Sequence, residues 1–104
     1  RFDANSYLRI MEAWQTVDLC GEAGVAEVED LLAACADQRF MVFSIDSDVC
    51  FYPDEQRRLV GALKRSSVPV RHITVHSDKG HDSFLLEPEL FAPHLRATLL
   101  SPWT

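Results

Sequence analysis

Residues 39–48 read RFMVFSIDSD, and this stretch sets the class of fold from which the other assignments follow. Its apolar run is short and continuous, which predicts a strand buried on both faces, as in a parallel sheet covered by helices. Residues 70–75 form a second strand-like segment. Between the two, Pro53 and the acidic pair after it predict a helix that continues to about residue 66. Strand, helix and strand in this order predict an α/β fold with a right-handed parallel crossover.

Two helical segments precede the first strand. Residues 5–20 place apolar side chains at three- and four-residue steps, which predicts an amphipathic helix with Asn5 and Ser6 as its caps. Two glycines interrupt this pattern, and residues 25–36 predict a second, short helix whose acidic run is typical of a solvated face. The C-terminal residues predict a last helix that Pro93 kinks or starts late.

Composition limits the class of protein. A chain of 104 residues with 47% apolar and 25% charged residues is an ordinary globular domain. The formal net charge of −6 argues against a nucleic-acid or anionic-membrane surface, and no apolar run is long enough to span a bilayer. Cys20, Cys35 and Cys50 lack CxxC spacing. We expect reduced, mostly buried thiols in a cytoplasmic protein, with a disulfide or metal role as the alternative.

Polar side chains follow both predicted strands. Asp48 ends the first stretch, and His81 lies past the second strand in the segment GHDSFLL at residues 80–86. Because neighbouring parallel strands are about 4.8 Å apart and end at one edge, these loops can bring the two side chains into contact. A carboxylate bonded to one imidazole nitrogen fixes the tautomer of a general base. The residues alone leave open that His81 is a surface side chain and Asp48 a helix cap.

Two further histidines, His72 and His76, lie four residues apart on the second predicted strand. That spacing separates them by about 13 Å, so they cannot bind one metal ion together. With no Cys/His cluster nearby, we expect no metal site.

Three segments, in this order, carry a resemblance to a known family. RFDANSYL at residues 1–8, the Ser47-Asp48 turn leading to Pro53, and GHDSFL at residues 80–85 resemble the C-terminal part of the homoserine O-acyltransferases, a branch of the α/β-hydrolase superfamily. The resemblance covers essentially the whole chain. It implies a C-terminal fragment of an α/β-hydrolase fold. Residues 39–104 would hold two parallel strands with flanking helices, and residues 1–38 the end of a helical lid.

The same resemblance implies a Ser…Asp…His triad in which Asp48 is the aspartate and His81 the histidine. Asp82 matches a residue that contacts the amino group of the acceptor in the family. No G-x-S-x-G motif occurs in the chain. The serine is therefore expected in a missing N-terminal part of the same protein, and this chain alone is expected to be inactive.

The implied reaction transfers an acyl group from acyl-CoA, with acetyl-CoA as the expected co-substrate, to the hydroxyl of homoserine in methionine biosynthesis. It needs no permanently bound cofactor, and the intact protein is expected to be a homodimer. Cys50 and Tyr52 depart from the family pattern, which usually has leucine and the first of two prolines there. This leaves open O-succinylation of serine in cysteine biosynthesis. Hydrolysis by an esterase also stays open, as does a non-enzymatic role of the fragment as a structural or dimerisation piece whose helix at residues 5–20 docks on a partner.

Overall fold

The computed structural model describes residues 3–103, and its centre is a pair of parallel strands. β1 (Phe40–Ile45) and β2 (Val70–Val75) pair in register, so the first residue of one lies opposite the first residue of the other. Because the strands run in the same direction, their carboxyl ends lie at one edge of the sheet. The predicted α/β class with two parallel strands is confirmed.

From residue 3 onward, three helices precede β1: α1 (Ala4–Gln15), α2 (Leu19–Ala23) and α3 (Val28–Ala33). The single helix predicted over residues 5–20 is wrong, because the chain turns at Thr16. The hydroxyl of this residue donates to the carbonyl of Ala13 at 2.7 Å, and α2 begins three residues later. The helix predicted over residues 25–36 is present but shorter than expected.

Aspartates cap the first two helices, in place of the predicted caps Asn5 and Ser6. The carboxylate of Asp3 accepts the backbone N–H groups of Asn5 and Ser6 at 3.3 Å each. Asp18 accepts that of Gly21 at 3.0 Å in the same way. An aspartate just before the helix satisfies first-turn N–H groups that have no partner within the helix. The preceding residues 1–2 of the RFDANSYL segment, and residue 104, lie outside the described range.

No residue of α1 is buried. Ile10 and Trp14, on its predicted apolar face, are 64% and 60% exposed. The radius of gyration is 16.3 Å, larger than the value of about 13 Å for a compact domain of this length. The apolar stripe is therefore present, but residues 3–103 leave most of it uncovered. None of the helices in this range has the length and apolar character needed to cross a bilayer.

The connection between the strands is α4 (Pro53–Arg65), which begins where it was predicted. Pro53 occupies the first turn, where a missing N–H costs no hydrogen bond. Acidic residues in the first turn and basic residues in the last one complement the helix dipole. The helix ends one residue earlier than predicted, and Ser67 turns the chain toward β2 with a φ of 58°.

Each face of β1 packs in its own cluster. Val42 contacts α4 on one face, where Leu63 is fully buried. Ile45 packs with Val75 and Phe91 on the opposite face, because side chains alternate along a strand. The predicted burial on both faces therefore holds at Val42 and Ile45, while other apolar side chains of the strand stay partly exposed.

Up to residue 103, four helical segments follow β2: the 3₁₀ turn Gly80–Asp82, α5 (Ser83–Leu86), the 3₁₀ turn Pro88–Leu90 and α6 (Ala92–Leu100). The late start predicted at Pro93 is confirmed, since this residue lies in the first turn of α6. Phe91, directly before α6, carries the contact with β1.

The three cysteines are free thiols, as predicted. The expectation that they are mostly buried is wrong. Cys20 and Cys35 are partly exposed, and Cys50 is exposed in the turn after β1. All three lie outside the two buried clusters that flank the strands.

Candidate active site

Asp48 lies in the turn that ends β1, where the backbone holds it in place. Its N–H donates to the carbonyl of Ile45 at 3.0 Å. Its Oδ1 accepts the backbone N–H groups of Cys50 and Phe51 at 2.8 Å each, and the residue is only 5% exposed. Asp48 therefore stabilises this turn, but it is not a helix cap, because α4 begins after Tyr52 and has no side-chain cap. The second carboxylate oxygen, Oδ2, remains free for a different partner.

That partner is His81, in the loop after β2. The distance between His81 Nδ1 and Asp48 Oδ2 is 2.9 Å, so the predicted contact between the two loops is present. The two side chains differ in exposure: that of His81 is 41% exposed and that of Asp48 only 5%. The imidazole can therefore be reached from outside while its anchor is shielded from solvent.

Two further hydrogen bonds, which we call the loop clasp, join the segments that carry the pair. The N–H of Gly80 donates to Ser47 Oγ at 2.9 Å, and the N–H of Ser77 donates to Asp46 Oδ1 at 3.0 Å. Gly80 has a φ of 67°, a left-handed conformation that a residue with a Cβ adopts only with strain. The glycine before His81 thus turns the chain so that the next side chain points toward β1's loop.

The protonation of the pair follows from the partners of the carboxylate. Burial by itself would raise the pKa of the Asp48 carboxyl, but hydrogen bonds from Phe51 N–H, His81 and Cys50 N–H outweigh burial, and the pKa lies below its ordinary value. An ionised carboxylate only accepts hydrogen bonds, so the proton between the two side chains belongs to His81 Nδ1, and the tautomer of a neutral imidazole here is the one with Nε2 unprotonated. A neutral imidazole in this tautomer can act as a general base.

A cavity of about 230 Å³ adjoins the pair. Its lining is mostly apolar, and the polar side chains are Asp48, His81 and Gln56. The apolar ones are Phe43, Ile45, Phe51, Phe84 and Phe91. The imidazole of His81 contacts two of these rings, with centroid distances of 5.0 Å to Phe51 and 5.6 Å to Phe84. The apolar walls keep water away from part of the imidazole and restrict its rotation.

Three further residues at the site, Gln56, Phe51 and Phe84, were not predicted from the sequence. A signal for the two rings was available, because Phe51 follows Asp48 by three positions and Phe84 follows His81 by the same interval. In a tight turn or a helix, that spacing returns a side chain to its partner's neighbourhood. No comparable signal singled out Gln56, which depends on where α4 begins relative to β1.

Asp82 occupies a different position from the other two predicted site residues. It ends the 3₁₀ turn Gly80–Asp82, is exposed, and does not line the cavity. Its carboxylate has no hydrogen bond or ion pair with any residue that the structure describes. Asp48 and His81 are thus in contact, and Asp82 stands unpaired one residue after His81. The catalytic and binding roles of the three stay predictions.

The two other histidines of β2 and its end have separate partners. His76 Nδ1 lies 2.8 Å from Asp46 Oδ2, and His72 Nε2 lies 2.6 Å from Ser44 Oγ. Burial, and after it the positive charges on α4, lower the pKa of His72. Between residues 3 and 103, no group of three or more His, Cys, Asp or Glu side chains is placed to hold a metal ion.

Curated relatives resemble the chain over most of its length. It is 42% identical over 95 residues to the homoserine O-acetyltransferase of Haloferax prahovense, a match that covers 91% of the chain and 22% of the relative. For the protein of the same name from Mesorhizobium japonicum, the identity is 41% over 93 residues, covering 88% and 23%. For that from Methanococcus vannielii, it is 36% over 87 residues, covering 84% and 17%.

No protein-family model matches the chain, and no solved structure matches it. The chain spans about a fifth of the length of the curated relatives, at 22% of the first two. The resemblance predicted from the sequence is confirmed: over most of its length, at about 40% identity, the chain is homologous to a C-terminal portion of proteins named homoserine O-acetyltransferase.

Proposed function

We propose that this chain supplies the general base and its orienting carboxylate to a homoserine O-acetyltransferase. One observation carries the proposal: His81 Nδ1 lies 2.9 Å from Asp48 Oδ2 at the carboxyl ends of two parallel strands, in a chain about 40% identical to proteins of that name. The edge of a parallel sheet beyond its carboxyl ends is where α/β folds bind their ligands. The superfamily we propose is that of the α/β-hydrolases, with residues 39–104 in the core and residues 1–38 at the end of a helical lid.

The nucleophile in this proposal is a serine in another part of the same protein. Nε2 of His81 takes the proton from the serine hydroxyl, and the serine oxygen attacks the thioester carbonyl of acetyl-CoA. The C–S bond breaks, the imidazolium returns its proton to the leaving sulfur, and CoA departs as a thiol. Asp48 stabilises the imidazolium in both steps because its ionised carboxylate stays bonded to Nδ1.

The second half of the reaction uses the same base. His81 removes the proton from the hydroxyl of homoserine, whose oxygen attacks the acyl-enzyme ester. The serine oxygen leaves with the proton held by the imidazolium, so the enzyme returns to its starting state. We propose that Asp82 pairs with the ammonium group of homoserine. An exposed, unpaired carboxylate next to the base in the chain supports this role, since it would hold the amino acid while aiming its hydroxyl.

The uncovered apolar side chains of α1 support a larger protein around these residues, because single-domain surfaces rarely expose such a stripe. We propose that the intact protein is a homodimer that works in methionine biosynthesis in the cytoplasm and has no permanently bound cofactor. The first test measures thiol release from acetyl-CoA by the full-length protein, with and without homoserine. Acyl transfer predicts release that depends on homoserine beyond a first turnover. Release without an acceptor would indicate an esterase, and a preference for succinyl-CoA and serine would indicate serine O-succinylation.

The second test compares two histidines at the same edge of the sheet. His81→Ala removes the proposed base and should lower kcat by at least about 10³-fold, within the range found for acid–base residues of catalytic triads. His76→Ala is the matched control, because its imidazole also pairs with an aspartate of β1's loop but does not line the cavity. Activity of His81→Ala close to that of His76→Ala would contradict the proposal.

A further inference from the structure

Phe51 contacts three separate parts of the molecule. Its backbone N–H donates to Asp48 Oδ1 at 2.8 Å. Its ring centroid lies 5.0 Å from that of His81, with the planes tilted by 52°. The same ring meets Trp14 of α1 edge to face, with 6.2 Å between centroids. One residue therefore joins the carboxylate, the imidazole and the helical segment that precedes β1.

We propose that Phe51 is a positioning residue that holds the imidazole of His81 in line with Asp48 and couples α1 to the Asp48–His81 pair through Trp14. The proposal rests on the function proposed above, since positioning matters to the reaction only if His81 is the base.

The hydrogen bond to Asp48 leaves one motion of the imidazole unrestrained. It holds Nδ1 close to Oδ2, but the ring can still rock about Nδ1 through coupled changes of its two side-chain torsions, of which the one that joins the ring to Cβ is broad for histidine. Rocking moves Nε2, the atom that must reach the serine hydroxyl. The rings of Phe51 and Phe84 both contact the imidazole and restrict this motion.

The two rings are not equivalent. Phe84 follows His81 in the same segment and shifts whenever that segment shifts. Phe51 belongs to the other loop, three residues after Asp48, and its N–H bond ties its backbone to the carboxylate. The ring of Phe51 is therefore the contact that keeps the imidazole aligned with Asp48.

The contact with Trp14 extends this support to α1. Edge-to-face ring pairs are favourable at centroid distances of about 4.5–7 Å, and the Trp14–Phe51 distance of 6.2 Å falls in that range. No residue of α1 is buried, and the Trp14–Phe51 ring pair is a direct contact between this helix and the site. A displacement of α1 would loosen one wall of the imidazole.

The test uses the full-length protein with Phe51→Leu, which removes the ring but keeps the backbone N–H. We expect kcat to fall about 10-fold, the upper range for the loss of ring contacts, with KM for homoserine changed less than about 2-fold. Phe51→Tyr keeps the ring and should restore kcat to within about 2-fold of wild type. Trp14→Leu removes only the contact with α1 and should lower kcat about 3-fold. Tyr52→Leu is the control, because this neighbouring ring is 58% exposed and does not line the cavity.

A second readout does not depend on activity. The Nδ1 proton of His81, bonded to Asp48, should give a downfield proton resonance that is broadened in Phe51→Leu but retained in Phe51→Tyr and Tyr52→Leu. If Phe51→Leu keeps both the resonance and the kcat of the Tyr52→Leu control, Phe51 does not position the base. Equal losses in Phe51→Leu and Phe51→Tyr would also overturn the proposal, and an unchanged kcat in Trp14→Leu would overturn the coupling to α1. An active His81→Ala protein would instead refute the proposed function, while the resonance would still report on Phe51.

Discussion

Replacing Asp48 by asparagine in the full-length protein separates the charge of this side chain from its size. The two oxygens of the carboxylate bind different partners. Oδ1 accepts the N–H groups of Cys50 and Phe51 at 2.8 Å each, and Oδ2 lies 2.9 Å from His81 Nδ1. A carboxamide has one oxygen that accepts and one nitrogen that donates, so it cannot satisfy both sides in the same way.

The structure determines which way the amide turns. If its NH₂ group faced the two backbone N–H groups, two shielded donors would lose their acceptor, at about 1–3 kcal/mol each. The oxygen of the introduced carboxamide is therefore expected to stay on the backbone side, and the NH₂ group then faces His81. An imidazole next to that donor must accept at Nδ1, so its proton moves to Nε2. In that tautomer, His81 cannot take a proton from the serine hydroxyl.

The expected loss is large because the wrong tautomer removes the base without removing the residue. In enzymes with a Ser-His-Asp triad, this exchange of aspartate for asparagine costs about 10⁴-fold in kcat, or about 5.5 kcal/mol. We expect a fall of about 10³- to 10⁴-fold at pH 7 in homoserine-dependent thiol release from acetyl-CoA. KM for homoserine should change little, because Asp48 does not contact that substrate in the proposed mechanism.

Asp46→Asn provides a control in the same loop. Asp46 also pairs with a histidine, His76, at 2.8 Å, and also accepts a backbone N–H, from Ser77. The same chemical change two positions away should leave kcat within about 2-fold of wild type. If Asp48→Asn kept more than a tenth of the wild-type kcat, or Asp46→Asn lost as much, the assigned role of Asp48 would be wrong.

Three further predictions concern stability and the shape of the His81 loop. Leu63→Ala should lower the free energy of unfolding by about 2–5 kcal/mol, because Leu63 is 0% exposed. Leu59 lies on the same helix but is 41% exposed, so Leu59→Ala should lower it by less than about 1 kcal/mol. Urea titrations of both variants measure the difference. Gly80→Ala and Gly24→Ala both place a Cβ at a positive φ, 67° and 69°, and each should lower the free energy of unfolding by about 1–2 kcal/mol. Only Gly80→Ala should also lower kcat. Equal activities of the two variants would refute the special role of Gly80. The pKa of His72 is lowered by burial and by charges on α4, so the unfolded chain binds a proton more readily and stability should fall as pH drops below about 6.5. His72→Gln should flatten that dependence in melting temperatures between pH 7.5 and pH 5, and an unchanged slope would contradict the assignment.

The elements that the sequence predicted well are those with a single strong local signal. Residues 40–43 are continuously apolar, and Pro53 with its acidic neighbours marks a helix start. The contact between Asp48 and His81 then follows from geometry, because both residues come after parallel strands that end at the same edge. Register and loop length, rather than any motif, bring the two side chains together.

Other features were mispredicted because nothing local distinguished one arrangement from another. The apolar stripe of residues 5–20 continues past the point where Thr16 turns the chain, so periodicity alone gave one helix too long. The cap could not be placed between Asp3, Asn5 and Ser6, since all three residue types favour that position. The place of Gln56 at the cavity depends on where α4 begins relative to β1, which no local pattern specifies.

The loop clasp has a mechanical consequence for the chemistry. Because the bonds Ser47–Gly80 and Asp46–Ser77 cross from one loop to the other, a shift of this edge of the sheet carries both loops together. The two loops then move as one unit, so the distance between Asp48 and His81 does not change when that unit moves as a whole. The distance from His81 to the proposed nucleophile, which lies outside this unit, does change with such motions. In the proposed triad, whose serine lies in another part of the protein, the distance between base and nucleophile is therefore the one that thermal motion and mutation can change.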